Sequence, residues 1–347
     1  MTSQPTSTNP PTQRADKPDV SGSLSQRTGA IEAALRFALL IGLIALVVFF
    51  SAQSNLFFST GNIRNILLSS AVLLIVAVPQ ALLVIQGYVD LSVGSTVAIS
   101  GVVTGLLIAD HGLAWELAAI VGIAVGCLAG LVNGILVAFS RLSPIIVTLA
   151  TLQAYRGITQ FLREDPPSGF GDGMGLLGRG LLGGVPVPVW IAIAVFALGS
   201  VILYATPMGR YVYAIGVNPE AAFLSGIPTR RLPLLTYAMT GAAAGLGGVL
   251  LAARLDSAPP GTLGSGFELD VLTAVLLGGV AFSGGRGTMV GVLLGVLFLG
   301  VLRNGMTLMN VPYYAQSVAT GIALVAGAGL DELSQRSQLV RRVVARK

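Results

Sequence analysis

The chain has 347 residues, of which 54% are hydrophobic and only 10% charged, whereas an average soluble domain carries roughly 25% charged residues; this composition excludes an ordinary soluble protein. One cysteine, Cys127, and one histidine, His111, exclude an intrachain disulfide, a zinc cluster and a histidine relay, so no metal, cofactor or catalytic residue is expected. Only two lysines occur, Lys17 and Lys347, and no G-x-x-x-x-G-K-[ST] phosphate loop can be built from them, so ATP, if it is used, must be bound by another chain.

Residues 1–30 are rich in Ser, Thr and Pro and hold no aliphatic run; they are expected to be a disordered cytoplasmic tail, unable to offset ordering entropy by burial. The first apolar segment lacks a signal peptide's basic run-in and cleavage pattern and is expected to remain as the first span. The stretches 37–63, 65–89, 117–140, 180–209, 232–253 and 304–330 contain no Asp, Glu, Lys or Arg, and each exceeds the roughly 20 residues that cross a bilayer as a helix. Spans are expected at 31–52, 65–87, 91–109, 114–139, 144–162, 188–206, 233–253, 268–283, 287–303 and 314–330. The fold class is an all-α polytopic membrane protein of about ten transmembrane helices, or eight if 268–303 is re-entrant. Either number leaves both termini on one side.

Arginine fixes the side. The loop at Arg141, the loop 207–232 with Arg210, Arg230 and Arg231, and the basic tail 333–347 carry the positive charge, which places them and both termini in the cytoplasm and the loop 163–187 outside. The tail's five basic residues beyond Leu333 read as a flank at the lipid headgroups rather than a nucleic-acid site. The transmembrane domain is therefore 31–332, with a cytoplasmic loop at 207–232. Glycines recur every four residues at Gly122, Gly126, Gly130 and Gly134, at Gly287, Gly291 and Gly295, and at Gly241 and Gly245, the spacing that lets helices approach closely within lipid.

Four stretches stand out. In Gln86–Ser95 an acid, Asp90, interrupts two apolar runs; it is expected to cap a helix beginning at Leu91, which does not exclude a place beside a transport path. Ser265 and Glu268 have capping-box spacing, while Asp270 lies inside the next helix and needs a polar or wet neighbour. Ser283–Gly287 reads as a tight turn, since it lacks the lysine of a phosphate loop. In the loop 207–232, Asn218 is a good N-cap, Pro219 suits the first helical position, Glu220 favours the helix N-terminus and Gly226 suits a left-handed end. That specifies a two-turn helix, too short to be stable alone and sensible if another protein receives it.

With these motifs the chain resembles, over roughly residues 35–332, the permease subunits of bacterial ABC-type monosaccharide importers, the group that takes in ribose, xylose, arabinose and autoinducer-2. The resemblance rests on DLSVGS at Asp90–Ser95, GILVAFSRLSPIIVT at Gly134–Thr148, Gly209-Arg210 with Asn218–Ile227, and Phe267-Glu-Leu-Asp270 followed by Gly278-Gly279 and Gly284-Gly285-Arg-Gly287. It departs from the family at Gly87-Tyr88-Val89, where relatives usually show Gly-Gly-Ile. The resemblance implies an inner-membrane permease that is not itself an enzyme. It implies as partners a second permease subunit, identical or paralogous, cytoplasmic ATP-binding cassette subunits, an extracytoplasmic sugar-binding protein and membrane lipid. By the family's E-A-A-x-x-x-G motif, Asn218, Glu220, Ala221, Ala222, Gly226 and Ile227 would couple to the ATPase. A sugar path calls for hydroxyl-matching polar groups, and the candidates are Gln86, Asp90, Ser92, Asn133, Thr148, Thr151, Gln153 and Asp270. Two alternatives stay open: an ion-coupled secondary transporter using Asp90 and Asp270, and an ABC permease for branched-chain amino acids.

Overall fold

Apolar runs that must satisfy every peptide group without water fold as helices, and the computed structural model, which describes residues 37, 39–140 and 142–344, is a helical bundle. The expected tail 1–30 and Arg141 lie outside the described residues. In order the helices are α1 (Leu39–Gln53), α2 (Thr60–Ile85), α3 (Val93–Ala109), α4 (Trp115–Ser140), α5 (Pro144–Leu162), α6 (Gly171–Arg179), α7 (Val187–Ala205), α8 (Pro207–Val217), α9 (Pro219–Leu224), α10 (Arg231–Leu255), α11 (Phe267–Leu277), α12 (Met289–Leu308) and α13 (Tyr313–Val344). A two-residue hairpin, β1 (Leu181–Leu182) with β2 (Val185–Pro186), lies between α6 and α7. Among the described residues five helices, α2, α4, α7, α10 and α12, are long and apolar enough to cross a membrane.

Helix α2 is the axis of the bundle, enclosed from Ser70 to Ile85 by α7, α10, α11 and α12. Helices α4 and α7 turn Leu128, Ile135, Ile193 and Leu198 outward, an arrangement that suits lipid. The glycine stripes do what their spacing implies. A Cβ on Gly241 of α10 would lie 2.3 Å from the Gly126 carbonyl of α4, and one on Gly295 would lie 2.1 Å from the Ala274 carbonyl, so α4–α10 and α11–α12 pack backbone to backbone. Gly241→Ala is therefore expected to lower the thermal midpoint of the purified protein sharply, because two helix backbones must separate. Gly61→Ala, whose added carbon meets nothing within 4 Å, should leave it unchanged.

Helix α11 departs from the expected span 268–283. At 11 residues it is about 16 Å long, half of what a crossing needs. The segment before it does not stay at the surface: Ala258 and Leu263 are buried, and Gly264 sits against the Gly94 carbonyl of α3. The partner segment α12 has 20 residues, so 268–303 is not a symmetric re-entrant pair either. Helix α13 likewise runs past the expected end at 330 to Val344.

The two ends of the bundle are distinct. At one, Asp110 pairs with Arg163 and residues 167–170 bond to 256–258. At the other, the Gly285 N–H donates to the Ile85 carbonyl at 2.7 Å, where a Cβ on Gly216 would lie 1.9 Å from that same carbonyl. The end of α8, the end of α2 and the turn 281–287 therefore meet at one point.

Candidate functional site

The break between α2 and α3 is built around Asp90. Its Oδ1 accepts from the Ser92 N–H at 2.8 Å and the Ser92 hydroxyl at 2.7 Å, and Asn133 Nδ2 of α4 donates to both carboxylate oxygens at 3.3 Å. Asn133 also reaches Ser92 Oγ at 2.7 Å. The neighbouring carbonyls are held as well: Tyr237 donates to Val89 O at 2.9 Å and Gln80 to Asp90 O at 3.2 Å, while Gln86 donates to Thr236 at 3.2 Å. The capping expectation needs one correction. Asp90 accepts from the backbone two residues on, but the helix starts at Val93, after Ser92, rather than at Leu91, because the carboxylate closes a turn ahead of the helix. Asp90 is 2% exposed, so its charge is spent inside the protein.

The second break precedes α11. Its N-cap is Gly266 in the left-handed region at φ 74°, so the capping box expected from Ser265 does not form. Backbone that enters a bilayer without helical bonding needs partners from the protein, and Arg156 of α5 supplies them, donating to Leu263 O at 2.7 Å and Pro260 O at 3.4 Å. Asp270 finds the polar neighbour it needs in Arg303 of α12, in a two-bond pairing. Gly94 of DLSVGS lies where a Cβ would strike the Glu268 carboxylate at 2.0 Å, so the two interrupted segments pack against each other.

Beside Asp270 opens a cavity of about 430 Å³ between α2, α10, α11 and α12. Asn65, Ser69, Arg254, Arg303, Asn304 and Thr307 give it a polar wall; Val72, Leu251, Phe267 and Leu299 give it an apolar one. Of the eight path candidates, only Asp270 borders it. Asp90, Ser92 and Asn133 form the enclosed network instead, and Gln86 is buried in a separate pairing with Thr236. Thr148 and Thr151 bond to carbonyls of their own helix at 2.8 and 3.1 Å, and Gln153 is exposed on α5. Sequence reasoning passed over Arg156, Arg254 and Arg303. Their signal was present: an arginine inside or at the end of an apolar span is costly unless it faces protein or water.

The loop helix α9 forms as its residues specify. Asn218 Oδ1 accepts from the Glu220 and Ala221 N–H groups at 3.0 and 2.9 Å. At the other end Gly226 takes φ 80°, and the Ile227 N–H reaches back to Ala222 O at 3.1 Å, the doubly bonded left-handed helix end that glycine permits. Ala222 turns inward at 4% exposure, while Phe223 and Leu224 project at 66% and 79%, beside Val217 at 74%. Glu220 and Ala221 are exposed.

A family model described as branched-chain amino acid transport system / permease component matches residues 62–327. The chain is 37% identical over 301 residues to the ribose import permease protein of Escherichia coli K12, covering 85% of this chain and 93% of that protein. It is 38% identical to the ribose import permease protein of Bacillus subtilis 168, covering 84% and 91%. It is 36% identical to the L-arabinose ABC transporter permease protein of Azospirillum brasilense, covering 83% and 84%. No solved structure matches the chain.

Proposed function

Because the chain belongs to the permease-component family whose model spans residues 62–327, we propose that it is the membrane-spanning subunit of an ATP-driven importer of a monosaccharide or similar small polyhydroxylated solute. The observation that carries this reading is the identity with the ribose import permeases over at least 84% of this chain. The family's description names branched-chain amino acids, but these relatives are named for sugars. The chain is a multi-pass protein of the bacterial inner membrane and a transport subunit rather than an enzyme.

The partners are a second permease subunit, cytoplasmic ATP-binding cassette subunits and an extracytoplasmic sugar-binding protein. The topology is ten crossings with both termini, the loop 207–232 and the tail 333–347 in the cytoplasm, and 163–187 outside. The eighth crossing is made by the non-helical segment 257–266, which buries Ala258, Pro260 and Leu263, together with the half-helix α11. The pairing of Asp110 with Arg163 and the bonds of residues 167–170 to 256–258 at one end, with Ile85, Gly216 and Gly285 meeting at the other, support placing 163–187 and 207–232 on opposite sides. Helix α9 receives the motion of the ATPase and delivers it to the ends of α2 and α8. An ion-coupled mechanism is disfavoured because Asp90 is enclosed and Asp270 is paired with Arg303.

The test is reconstitution in proteoliposomes with the ATPase subunit and binding protein that co-purify with the chain. The expected result is sugar uptake that requires ATP and the partners, with no hydrolysis by the isolated chain. Uptake by the chain alone, driven by an ion gradient, would overturn the reading.

A further inference from the structure

An ion-lined cavity at the level of a bilayer has to face water, solute or protein, since charged side chains turned to lipid cost about 2.5–3.5 kcal/mol each on insertion scales. The cavity between α2, α10, α11 and α12 is of this kind. Its volume, about 430 Å³, falls in the range of small-molecule sites, roughly 300–1,000 Å³. Its outer wall carries Arg254, which makes one hydrogen bond, to Ser69 Oγ at 3.2 Å, and pairs with no carboxylate among the described residues. Asn65 stands exposed on the facing helix. Its floor is the Asp270–Arg303 pair at the start of the interrupted helix α11, with Arg303 the more open partner.

A sugar ring has an edge of hydroxyls, each donating and accepting, and a face of C–H groups. This cavity is matched to both. Arg254, Asn65 and Arg303 offer donors, Asp270 offers an acceptor, and Phe267 with Leu299 offers apolar surface. We propose that this cavity is where the polyhydroxylated solute is first held by the permease, with Arg254 and Asn65 as its specificity-determining contacts. The proposal rests on the importer reading. With the topology given above, the cavity opens from mid-bilayer toward the extracytoplasmic end, where the binding protein delivers.

The experiment uses the reconstituted importer with D-ribose and L-arabinose as probes. In wild type one of them is taken up. Arg254→Ala and Asn65→Ala are then expected to raise KM for uptake at least tenfold and threefold with a smaller fall in kcat. Arg254→Lys should recover part of the loss. As a second readout independent of these side chains, Thr307→Cys in a Cys127→Ala background should react with a membrane-impermeant thiol reagent from outside, several-fold more slowly when the transported sugar is delivered. If neither sugar is moved, the importer reading for these sugars fails and the site falls with it. If one is moved while KM is unchanged, or the sugar gives no protection, the reading stands and the site is wrong. Labelling blocked with or without sugar, together with a disulfide between two copies through Thr307→Cys, would make the groove a subunit contact and overturn the proposal.

Discussion

Asp90→Leu is expected to remove the protein from the membrane fraction, whereas Asp90→Asn is expected to leave it inserted and able to transport. The carboxylate is the hub of the first break: it accepts from the Ser92 N–H, the Ser92 hydroxyl and the Asn133 amide. Leucine leaves the buried Ser92 N–H and hydroxyl without this acceptor and Asn133 with Ser92 Oγ alone, at roughly 1–3 kcal/mol for each donor left unpaired, against a total stability of about 5–15 kcal/mol for a typical fold. Asparagine keeps an oxygen for Ser92 but turns an NH₂ toward the NH₂ of Asn133, so a loss of about 1.5–3 kcal/mol is expected, the worth of a hydrogen bond to a charged group. Asn133→Asp should be worse than Asn133→Ala in wild type, since it sets two carboxylates together, and should be partly rescued by Asp90→Asn. Membrane-fraction levels and thermal midpoints in detergent measure all five, the double variant included. Normal levels of Asp90→Leu would show that the network does not hold the break.

This hub shows how far the sequence could be read. An acid between two apolar runs is visible because its insertion cost demands an explanation, and the capping role followed from its place before a helix. Its partner Asn133, 43 residues on, was legible only as a polar residue in a glycine-striped span. The pairing needs α3 and α4 to be neighbours, which is tertiary information. The same division holds elsewhere. Glycine at every fourth position announced close packing, but that α4 packs on α10 and α12 on α11 is visible only in the contacts. Helix α9 was legible to its last cap, because N-cap, first-turn proline and left-handed glycine are local chemistry. The failure at α11 has a physical cause: its apolar run 271–282 continues through Gly278 and Gly279, and hydropathy does not register that glycines end a helix when the backbone can turn away. The cavity was missed because its polar wall draws its residues from three helices far apart in the chain, α2, α10 and α12.

The double variant Phe223→Glu with Leu224→Glu is expected to abolish coupling while leaving the permease stable. These side chains project from α9 at 66% and 79% exposure, and two large apolar groups side by side at the tip of a loop helix suit a surface that another protein covers. Burying each contributes about 1.5–3 kcal/mol, so two charges in their place cost docking at least 3 kcal/mol, more than a hundredfold at about 1.4 kcal/mol per decade. Ala222, at 4% exposure, packs against the permease itself, so Ala222→Trp should overpack that contact and lower the level of folded protein before any partner is involved. Gly226→Val forces a β-branched residue into φ 80° and should misdirect the chain toward Arg230 and Arg231. Sugar-stimulated ATPase activity of the reconstituted complex, with permease level and thermal midpoint measured in parallel, separates these effects. The glutamates should reduce stimulation more than tenfold at an unchanged midpoint, and the tryptophan should lower the midpoint. If the glutamate variant keeps full stimulation, α9 does not carry the motion of the ATPase. If instead it loses membrane level, Phe223 and Leu224 are held by lipid and not by a partner.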